Sequence, residues 1–420
     1  MLFSNQILLA VVSTLLANVI AMPLPAVHGV QVSNRTELTI EQTMSYQPVD
    51  FTTMVHKRSS SDDGTNVGYI QVPLFQSGNY FLAEAKVGSH GRKMPLILDT
   101  DSGDVVIRSS TSFIPKLTKF NTKYSKSLVK VPGKFDTKLT KDELSATGSW
   151  GYDTFQIMDN NGTFHLVDST MLALATESDL EYSVLGMGPQ SSESSQSLGA
   201  SSFSYTNLLN IMKSNSLIEK SSYSIFLESK SDTSGGEMII GGIDKTKFAG
   251  DSLTYLPLTH RSGLGEYGSS MYFDLDGIRF NNTQLTGQKY PAKITSANKR
   301  IAVPKAVFEN IGNKYGTYDP FYDSYVIACD ATGPDFEFIF GGNTTITVPF
   351  NNVVINATPL VTNKNYETCV FGLEQSTSDY FELGSAFLQS AYVHFQMDNN
   401  EIGVAQSQFN QQQHTDIVIQ

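Results

Sequence analysis

The strongest constraint on the fold is a pattern that occurs twice along the chain. In the first half, an apolar stretch leads into Asp99 and a short polar turn, and Val184-Leu185-Gly186 follows about 80 residues later. In the second half, Ala292-Lys293-Ile294 leads into Thr295-Ser296-Ala297, and Glu382-Leu383-Gly384 follows at about the same distance. A repeated unit of this kind predicts two lobes built on one plan, with the two turns facing each other.

Length and composition agree with this interpretation. The chain has 420 residues, and a single hydrophobic core stops growing at roughly 250 to 300 residues, so two lobes are expected. With 40% hydrophobic and only 17% charged residues, the chain has ample material for a buried core. Stretches rich in Val, Ile, Phe and Tyr predict strands at 80–87, 96–98, 105–107, 154–157, 222–227, 238–240, 325–328, 336–340 and 392–395.

Helical patterns are confined to short pieces, at 205–213 and at 305–315, the second of which follows Pro304. The Ser-rich stretch 191–204 is typical of a surface loop. The expected fold class is therefore all-β and bilobal, with a few short helices.

Charge and motif content exclude several functional classes. The 29 Lys and Arg residues against 41 Asp and Glu give a net charge of −12, which opposes binding to nucleic acid. The histidines lack paired metal-ligand spacing, and no phosphate-binding Gly-Lys-Ser/Thr loop occurs, so neither a metal nor a cofactor is expected. The acidic run Asp99–Asp104 fits a calcium loop poorly, because Asp104 stands where glycine is required and Ser110 where a bidentate Glu belongs.

The N-terminal part of the sequence is typical of an exported protein. Residues 7–21 form a 15-residue apolar run that ends in small residues and is too short to span a bilayer comfortably, which predicts a signal peptide over 1–21. An anchor or a buried strand is the alternative.

Residues 22–58 are interpreted as a propeptide, since they end in the dibasic pair Lys57-Arg58 before a flexible stretch. An ordinary solvated charge pair is the alternative there. The N-terminal lobe is then expected over 59–245 and the C-terminal lobe over 246–420.

Two further features suit an exported chain. Asn-x-Ser/Thr sequons follow the dibasic pair at four places, namely Asn161, Asn281, Asn343 and Asn356. Cys329 and Cys369 are the only cysteines, and one disulfide between them is expected in an oxidising compartment. No later segment approaches the roughly 18 apolar residues of a membrane helix.

The order and spacing of several blocks together resemble the pepsin-like aspartic proteases, in particular the secreted yeast branch that includes the candidapepsins. The resemblance runs from Val67 to Gln406. Its blocks are Tyr80-Phe81-Leu82-Ala83, Leu98-Asp99-Thr100, 148–155, Val184-Leu185-Gly186-Met187-Gly188, Ile240-Gly241-Gly242-Ile243-Asp244, Leu383-Gly384-Ser385-Ala386-Phe387-Leu388 and Gly403-Val404-Ala405-Gln406. The resemblance implies two β lobes with a long cleft for an extended peptide, each lobe giving one catalytic aspartate.

The chemistry of that family needs two carboxylates that share a proton, because like charges a few ångströms apart cannot both ionise. Each lobe supplies its carboxylate from an Asp-Thr/Ser-Gly motif. In this chain Asp99, followed by Thr100, stands at the first aspartate position, while Asp101 replaces the glycine and precedes Ser102. At the second motif Thr295, followed by Ser296, stands at the aspartate position. Because a threonine hydroxyl does not titrate near neutral pH, half of the acid–base pair is missing.

Two more departures lie nearby. The family's flap tyrosine should precede Gly148 by about eight residues, where this chain has Thr140 and Lys141. Lys299 and Arg300 follow the altered second turn, and they either neutralise Asp99 and Asp101 across the cleft or point to solvent.

The sequence therefore predicts a secreted, glycosylated, monomeric pepsin-like homologue, extracellular or associated with the cell wall. Its peptidase site is expected to be impaired, with the cleft kept as a binding surface for a peptide or protein ligand. One alternative is an active acid endopeptidase with an unusual pair, Asp99 with Asp101 or with a misaligned Asp274 or Asp276. Another is a cell-surface scaffold whose β lobes only carry glycans.

Overall fold

The structure is a computed structural model that describes residues 68–110, 119–139, 144–198, 202–231, 234–249, 253–260, 271–357, 367–409 and 415–420. The expected signal peptide, the expected propeptide and the pair Lys57-Arg58 lie outside the described residues. In the described parts of the chain, strands dominate and the α-helices are short: Leu208–Ser214 (α1), Lys305–Tyr315 (α2) and Ser385–Leu388 (α3).

The strands of the first half are Ile70–Ser77 (β1), Tyr80–Val87 (β2), Arg92–Asp99 (β3), Val105–Ser110 (β4), Phe120–Asn121 (β5), Val129–Leu139 (β6), Leu144–Met158 (β7), Phe164–Ser178 (β8), Ser183–Gly186 (β9), Ser222–Leu227 (β10), Gly236–Ile240 (β11) and Gly242–Asp244 (β12). Those of the second half are Thr254–Pro257 (β13), Thr259–His260 (β14), Met271–Leu275 (β15), Gly277–Phe280 (β16), Thr283–Gln284 (β17), Tyr290–Ile294 (β18), Ile301–Val303 (β19), Thr317–Asp319 (β20), Ser324–Ile327 (β21), Phe336–Phe340 (β22), Thr344–Val348 (β23), Val354–Asn356 (β24), Cys369–Phe371 (β25), Leu373–Gln375 (β26), Phe381–Leu383 (β27), Ala391–Gln396 (β28), Glu401–Gln406 (β29) and Ile417–Ile419 (β30).

One extended sheet joins strands from both halves, in the order β13-β29-β28-β10-β11-β1-β2-β3-β9-β4-β8-β7-β6, with β5 on β4 and a further pairing of β2 with β7. The second half adds a six-stranded sheet, β14-β15-β18-β27-β19-β26, and two four-stranded sheets, β17-β16-β22-β23 and β20-β21-β25-β24. A small sheet pairs β12 with β30. The architecture is all-β and of the pepsin-like bilobal type, as expected.

The repeat in the sequence corresponds to a repeated arrangement of strands. In the first half, β9 lies between β3 and β4, parallel to the former and antiparallel to the latter. In the second half, β27 lies between β18 and β19 with the same two orientations. Each unit therefore consists of two strands flanking a turn and a third strand, distant in sequence, that closes behind the turn.

Buried apolar side chains fix the position of each of these strand–turn–strand units. Leu96, Leu98 and Leu185 are essentially buried in the first half, and Ile294 and Leu383 in the second. Burial of a side chain of this size stabilises the fold by about 1.5–3 kcal/mol, and a slip of one residue would turn the apolar set of a strand to the other face. The register of the strands, and hence the position of each turn, is fixed by this packing.

The predicted elements agree closely with the structure. The expected strands 80–87, 222–227 and 336–340 and the helix 305–315 have the observed bounds. Helix α1 begins at Leu208 instead of 205, because the Asn207 side chain accepts a hydrogen bond from the amide of Asn210 and so caps the helix there.

The predicted disulfide is confirmed. Cys329 and Cys369 are bonded, with a Cα–Cα distance of 5.1 Å, and they tie the end of β21 to the start of β25 within the second half. The four sequon asparagines, Asn161, Asn281, Asn343 and Asn356, are all exposed. Among the described residues, no helix is both long and apolar enough to cross a membrane.

Candidate active site

The first turn carries a buried carboxylate at the end of β3. The side chain of Asp99 is only 6% exposed, and its Oδ1 accepts hydrogen bonds from the amides of Asp101 at 2.9 Å and Ser102 at 3.4 Å. The turn is held from behind by Gly186, where an added Cβ would lie 2.2 Å from the carbonyl oxygen of Asp104. The position of Asp99 is therefore set by the backbone of its own turn and by β9.

The second turn meets the first through a reciprocal set of hydrogen bonds. Thr100 Oγ1 donates to the carbonyl oxygen of Ile294 at 3.1 Å and accepts from the amide of Ser296 at 3.1 Å. Ser296 Oγ donates to the carbonyl oxygen of Leu98 at 2.7 Å and accepts from the amide of Thr100 at 3.2 Å. The two turns thus face each other with near two-fold symmetry, and the residues that precede Thr100 and Ser296 are Asp99 and Thr295.

The second turn presents hydroxyl groups. Thr295 and Ser296 are both buried, and the amide of Thr295 donates to the carbonyl oxygen of Leu383 at 3.2 Å. Gly384 permits the close approach of this third strand, since a Cβ there would lie 2.1 Å from the carbonyl oxygen of Arg300. The third strand, β27, therefore lies behind the second turn as β9 lies behind the first.

A buried ion-pair network joins the two turns. Lys293 Nζ lies 2.7 Å from Asp101 Oδ2 and 3.1 Å from Glu382 Oε1, and Tyr380 donates its hydroxyl hydrogen to the same Glu382 oxygen at 3.0 Å. Burial alone would lower the pKa of Lys293, but the two carboxylates outweigh it and raise that pKa well above its usual range. Lys293 is therefore a permanent positive charge at the site.

The titration of Asp99 reflects its burial. Removal from water, together with the negative charge of Asp101, raises the pKa of Asp99 to about 6. Hydrogen bonds from the amides of Asp101 and Ser102 and the charge of Lys293 act in the opposite direction. Asp99 is thus a carboxyl group that can be either protonated or ionised in weakly acidic solution.

Sequence reasoning missed Lys293 and placed its role on Lys299 and Arg300. Lys299 Nζ donates to Gln389 Oε1 at 3.0 Å, and the Arg300 guanidinium donates to the carbonyl oxygen of Tyr322 at 3.2 Å. Both are half-buried with protein partners, so neither expected alternative describes them. The available signal was a lysine inside an apolar strand, two residues before the second turn.

The acidic run after β3 does not converge on one point. The Asp104 carboxylate accepts hydrogen bonds from the hydroxyl of Tyr205 and from the amide of Ser194 at 2.9 Å. Its carboxylate ties the first turn to the segment that follows β9, which is a structural role. The expected flap position, Thr140 and Lys141, lies outside the described residues.

Paired strand–turn–strand units that face each other and carry a buried aspartate define the pepsin-like class of aspartic proteases. The family model described as eukaryotic aspartyl protease matches residues 80–407, and the chain belongs to this family. The resemblance seen in the sequence is thereby confirmed.

The similar proteins include secreted yeast enzymes. The chain is 33% identical over 355 residues to an acid protease of Saccharomycopsis fibuligera, covering 84% of this chain and 86% of that protein. It is 25% identical over 408 residues to secreted aspartic protease 3 of Candida albicans, covering 90% and 94%. It is 29% identical over 279 residues to barrierpepsin of Saccharomyces cerevisiae, covering 64% of this chain and 46% of that protein. Members of the family bind peptide substrates in a cleft.

Proposed function

We propose that this chain is a secreted pepsin-like homologue whose peptidase activity is impaired and whose cleft is retained for binding a peptide or protein. In this proposal Asp99 and Thr295 occupy the two aspartate positions of the family, with Thr100, Asp101, Ser102 and Ser296 flanking them. The N-terminal lobe spans 59–245 and the C-terminal lobe 246–420, and the chain acts as a monomer after loss of residues 1–21 and 22–58.

The single observation that carries the proposal is the chemistry of the second turn. The hydrogen bonds exchanged by Thr100 and Ser296 support our placing of Thr295 opposite Asp99. A hydroxyl can donate a hydrogen bond but cannot hold and release a proton near neutral pH. One acid–base group is worth roughly 10²- to 10⁴-fold in rate, and groups that act as a unit are lost together. We therefore expect peptide hydrolysis to be lost or nearly lost.

Secretion is supported by the apolar segment 7–21, the exposed sequons Asn161, Asn281, Asn343 and Asn356, and the secreted relatives. We propose that these asparagines carry glycans and that cleavage after Lys57-Arg58 releases the mature chain. We propose that the mature chain is either extracellular or associated with the cell wall.

One observation favours a second candidate, an active enzyme with Asp99 and Asp101 as its pair. The charge of Asp101 raises the pKa of Asp99, so the two carboxylates interact. Against it, Asp101 Oδ2 is engaged by Lys293 at 2.7 Å, and an ion-paired carboxylate is a poor partner for sharing a proton. Asp276 is similarly engaged by Lys289 at 2.7 Å, and exposed Asp274 lies in the middle of β15.

The test uses the processed chain, unfolded protein as substrate at pH 3–6, and a statine peptide, which mimics the transition state. The proposal predicts binding of the statine peptide without cleavage. Cleavage that the statine peptide inhibits, and that is lost in Asp99→Asn, would establish the second candidate instead. Absence of binding to the statine peptide and to a peptide library would favour the glycan-bearing scaffold.

A further inference from the structure

A buried histidine lies within the sheet that joins the two halves of the chain. His394, on β28, is 0% exposed, and its neighbours across the sheet are Ser224 on β10 and Gly403 on β29. Tyr255 on β13 is paired with Gly403, where an added Cβ would lie only 2.9 Å from the tyrosine ring. Because Gly403 has no side chain, the ring of Tyr255 passes over it, and the Tyr255 hydroxyl lies 2.9 Å from His394 Nδ1.

Residues 415–420, which we call the β30 strap, lie with β12 over this part of the sheet. The β30 strap follows the segment that the family model matches, and its strand pairs with β12 in an antiparallel two-stranded sheet. Ser224 Oγ, beside His394, donates to the carbonyl oxygen of Gly242 in β12 at 2.8 Å. The face of the large sheet that carries His394 is therefore covered by β12 and the β30 strap.

Gln420, in the β30 strap, completes a chain of hydrogen bonds to the histidine. Its Oε1 accepts from the hydroxyl of Tyr255 at 2.8 Å, and its main-chain oxygen accepts from Ser222 Oγ. Because Tyr255 donates its one hydroxyl hydrogen to Gln420, it accepts from His394, whose proton then lies on Nδ1. His394 Nε2 has no hydrogen-bond partner among the described residues. A second proton, on Nε2, would therefore create a buried cation whose new N–H lacks an acceptor.

The surroundings of His394 oppose its protonation. The titratable groups on the elements packed around it are Tyr255, Tyr392, Asp244, Glu401 and Asp416, but burial is the only cause that shifts its pKa, which it lowers to about 3. Detachment of the β30 strap would let water reach the imidazole, so that its pKa returns toward the ordinary value of about 6.5. The stability of the attached strap is therefore complete above about pH 6.5 and is lost as the pH falls toward 3.

We propose that the β30 strap is a pH-sensitive switch, in which protonation of His394 in acid detaches residues 415–420 from β12. In neutral solution the strap pairs with Gly242–Asp244, directly before the proposed boundary between the lobes, and so restrains the connection between them. In acid the strap leaves, and the edge of β12 presents unpaired main-chain groups. The proposal does not depend on the proposed function, because no residue of the two turns takes part in it.

Hydrogen–deuterium exchange of the full chain between pH 4 and pH 7 tests the proposal. Amides of the β30 strap are compared with those of β29 in the same protein, after correction for the pH dependence of exchange in an unfolded peptide. We expect the equilibrium constant for detachment of the strap to rise about 200-fold from pH 7 to pH 4, while protection of β29 changes much less. Equal protection of the strap at pH 7 and pH 4 in the wild type overturns the proposal without any variant.

Variants assign the effect to His394. His394→Asn keeps a donor near the position of Nδ1 and His394→Gln places one near Nε2, and neither side chain can become charged. Circular dichroism shows which of the two is folded. In either, detachment of the strap should vary less than about threefold with pH, whereas the control His90→Gln, at an exposed position, should behave like the wild type.

Asp244→Asn examines the other titratable group that holds the strap, since Asp244 Oδ1 accepts from the amide of Asp416 at 3.1 Å. We expect its strap to keep the full pH dependence. Loss of that dependence in Asp244→Asn, with the strap still protected at pH 7, would assign the switch to this carboxylate and overturn the proposal. A 200-fold rise that survives in folded His394→Asn or His394→Gln also overturns it.

Discussion

Asp99 differs from an ordinary surface aspartate in the cost of its ionisation. Burial, with the added charge of Asp101, raises its pKa from 3.8 to about 6. A carboxyl group whose pKa is higher in the folded than in the unfolded chain favours folding most when it is protonated. Its contribution to stability is therefore complete below about pH 4 and is lost as the pH rises to about 6, a loss of roughly 3 kcal/mol.

Asp99→Asn should remove this pH dependence. We expect the free energy of unfolding of the wild type to fall between pH 4 and pH 7 by about 2 kcal/mol more than that of the variant. Urea unfolding at pH 4, 5, 6 and 7 measures the difference, with Asp136→Asn, at an exposed position of β6, as the control. Parallel stability curves for the wild type and Asp99→Asn would show that the carboxyl is not destabilised by burial.

The residues of the site differ in how far sequence can reveal them. Asp99 and Thr295 follow apolar strands and stand in a local motif, so their positions could be predicted, and the reciprocal bonds of Thr100 and Ser296 fit that prediction. The role of Lys293 could not be predicted from the sequence, because it depends on an ion pair with Asp101, which is 192 positions away in the chain. Spacing along a sequence carries no information about a contact of that range.

At the scale of the structural element, the segment after β9 is ordered and partly buried, although its many serines predict a surface loop. Two short 3-10 turns, Gln190–Ser192 and Ser194–Ser197, flank Glu193, which is 2% exposed. The Glu193 carboxylate accepts from the amide of Tyr205 at 3.4 Å, and burial raises its pKa to about 8. The segment is therefore packed against the first turn around a carboxyl group that is neutral at pH 7.

Glu193→Gln should reduce the loss of folding stability that the protein shows as the pH rises above neutrality. Since Glu193 has a higher pKa in the folded chain, its contribution to stability is complete below about pH 4.5 and is lost as the pH rises through about 8. We expect the unfolding temperature of the variant, relative to the wild type, to be higher at pH 8.5 than at pH 5 by about 2 °C or more. Glu177→Gln, on an exposed part of β8, is the control, and equal pH profiles in all three proteins would contradict the assignment.

The disulfide illustrates an element-scale contact that composition alone could predict, because only two cysteines exist. It closes a loop with a sequence separation of 40, which in the chain-entropy description is worth about 4 kcal/mol. Replacing both Cys329 and Cys369 by serine should therefore lower the free energy of unfolding by about that amount. Denaturant unfolding measures the loss, and a loss below about 1 kcal/mol would mean that the unfolded chain is not restricted by the bond.

For the whole molecule, the class of fold was predictable because strand periodicity and the repeat are local or nearly local signals. The order of the sheets was not, since β10 pairs with β28 and β13 with β29 across more than a hundred residues. Those pairings depend on which apolar faces of distant strands pack against each other. A single sequence does not reveal which faces these are. The two turns meet through the hydrogen bonds of Thr100 and Ser296, although the strands that carry them belong to different sheets.

We propose that three residues together impair catalysis, namely Thr295, Asp101 and Lys293. Restoring peptidase activity should therefore require the replacement of all three. Thr295→Asp alone would place its new carboxylate near Lys293, whose charge favours ionisation of both aspartates and so opposes a shared proton. Adding Asp101→Gly removes a carboxylate from the glycine position but leaves Lys293 with Glu382 only. Lys293→Gln then removes the positive charge while keeping a donor for Glu382.

The triple variant, Thr295→Asp with Asp101→Gly and Lys293→Gln, should cleave unfolded protein at pH 3–5 at least about 100-fold faster than Thr295→Asp alone, the scale of one acid–base group. Adding Asp99→Asn to the triple variant must abolish that activity, and circular dichroism must show that each protein is folded. If Thr295→Asp alone were as active as the triple variant, Lys293 and Asp101 would have no part in the impairment. If the folded triple variant bound statine peptide but stayed inactive, the loss of catalysis would lie beyond the two turns.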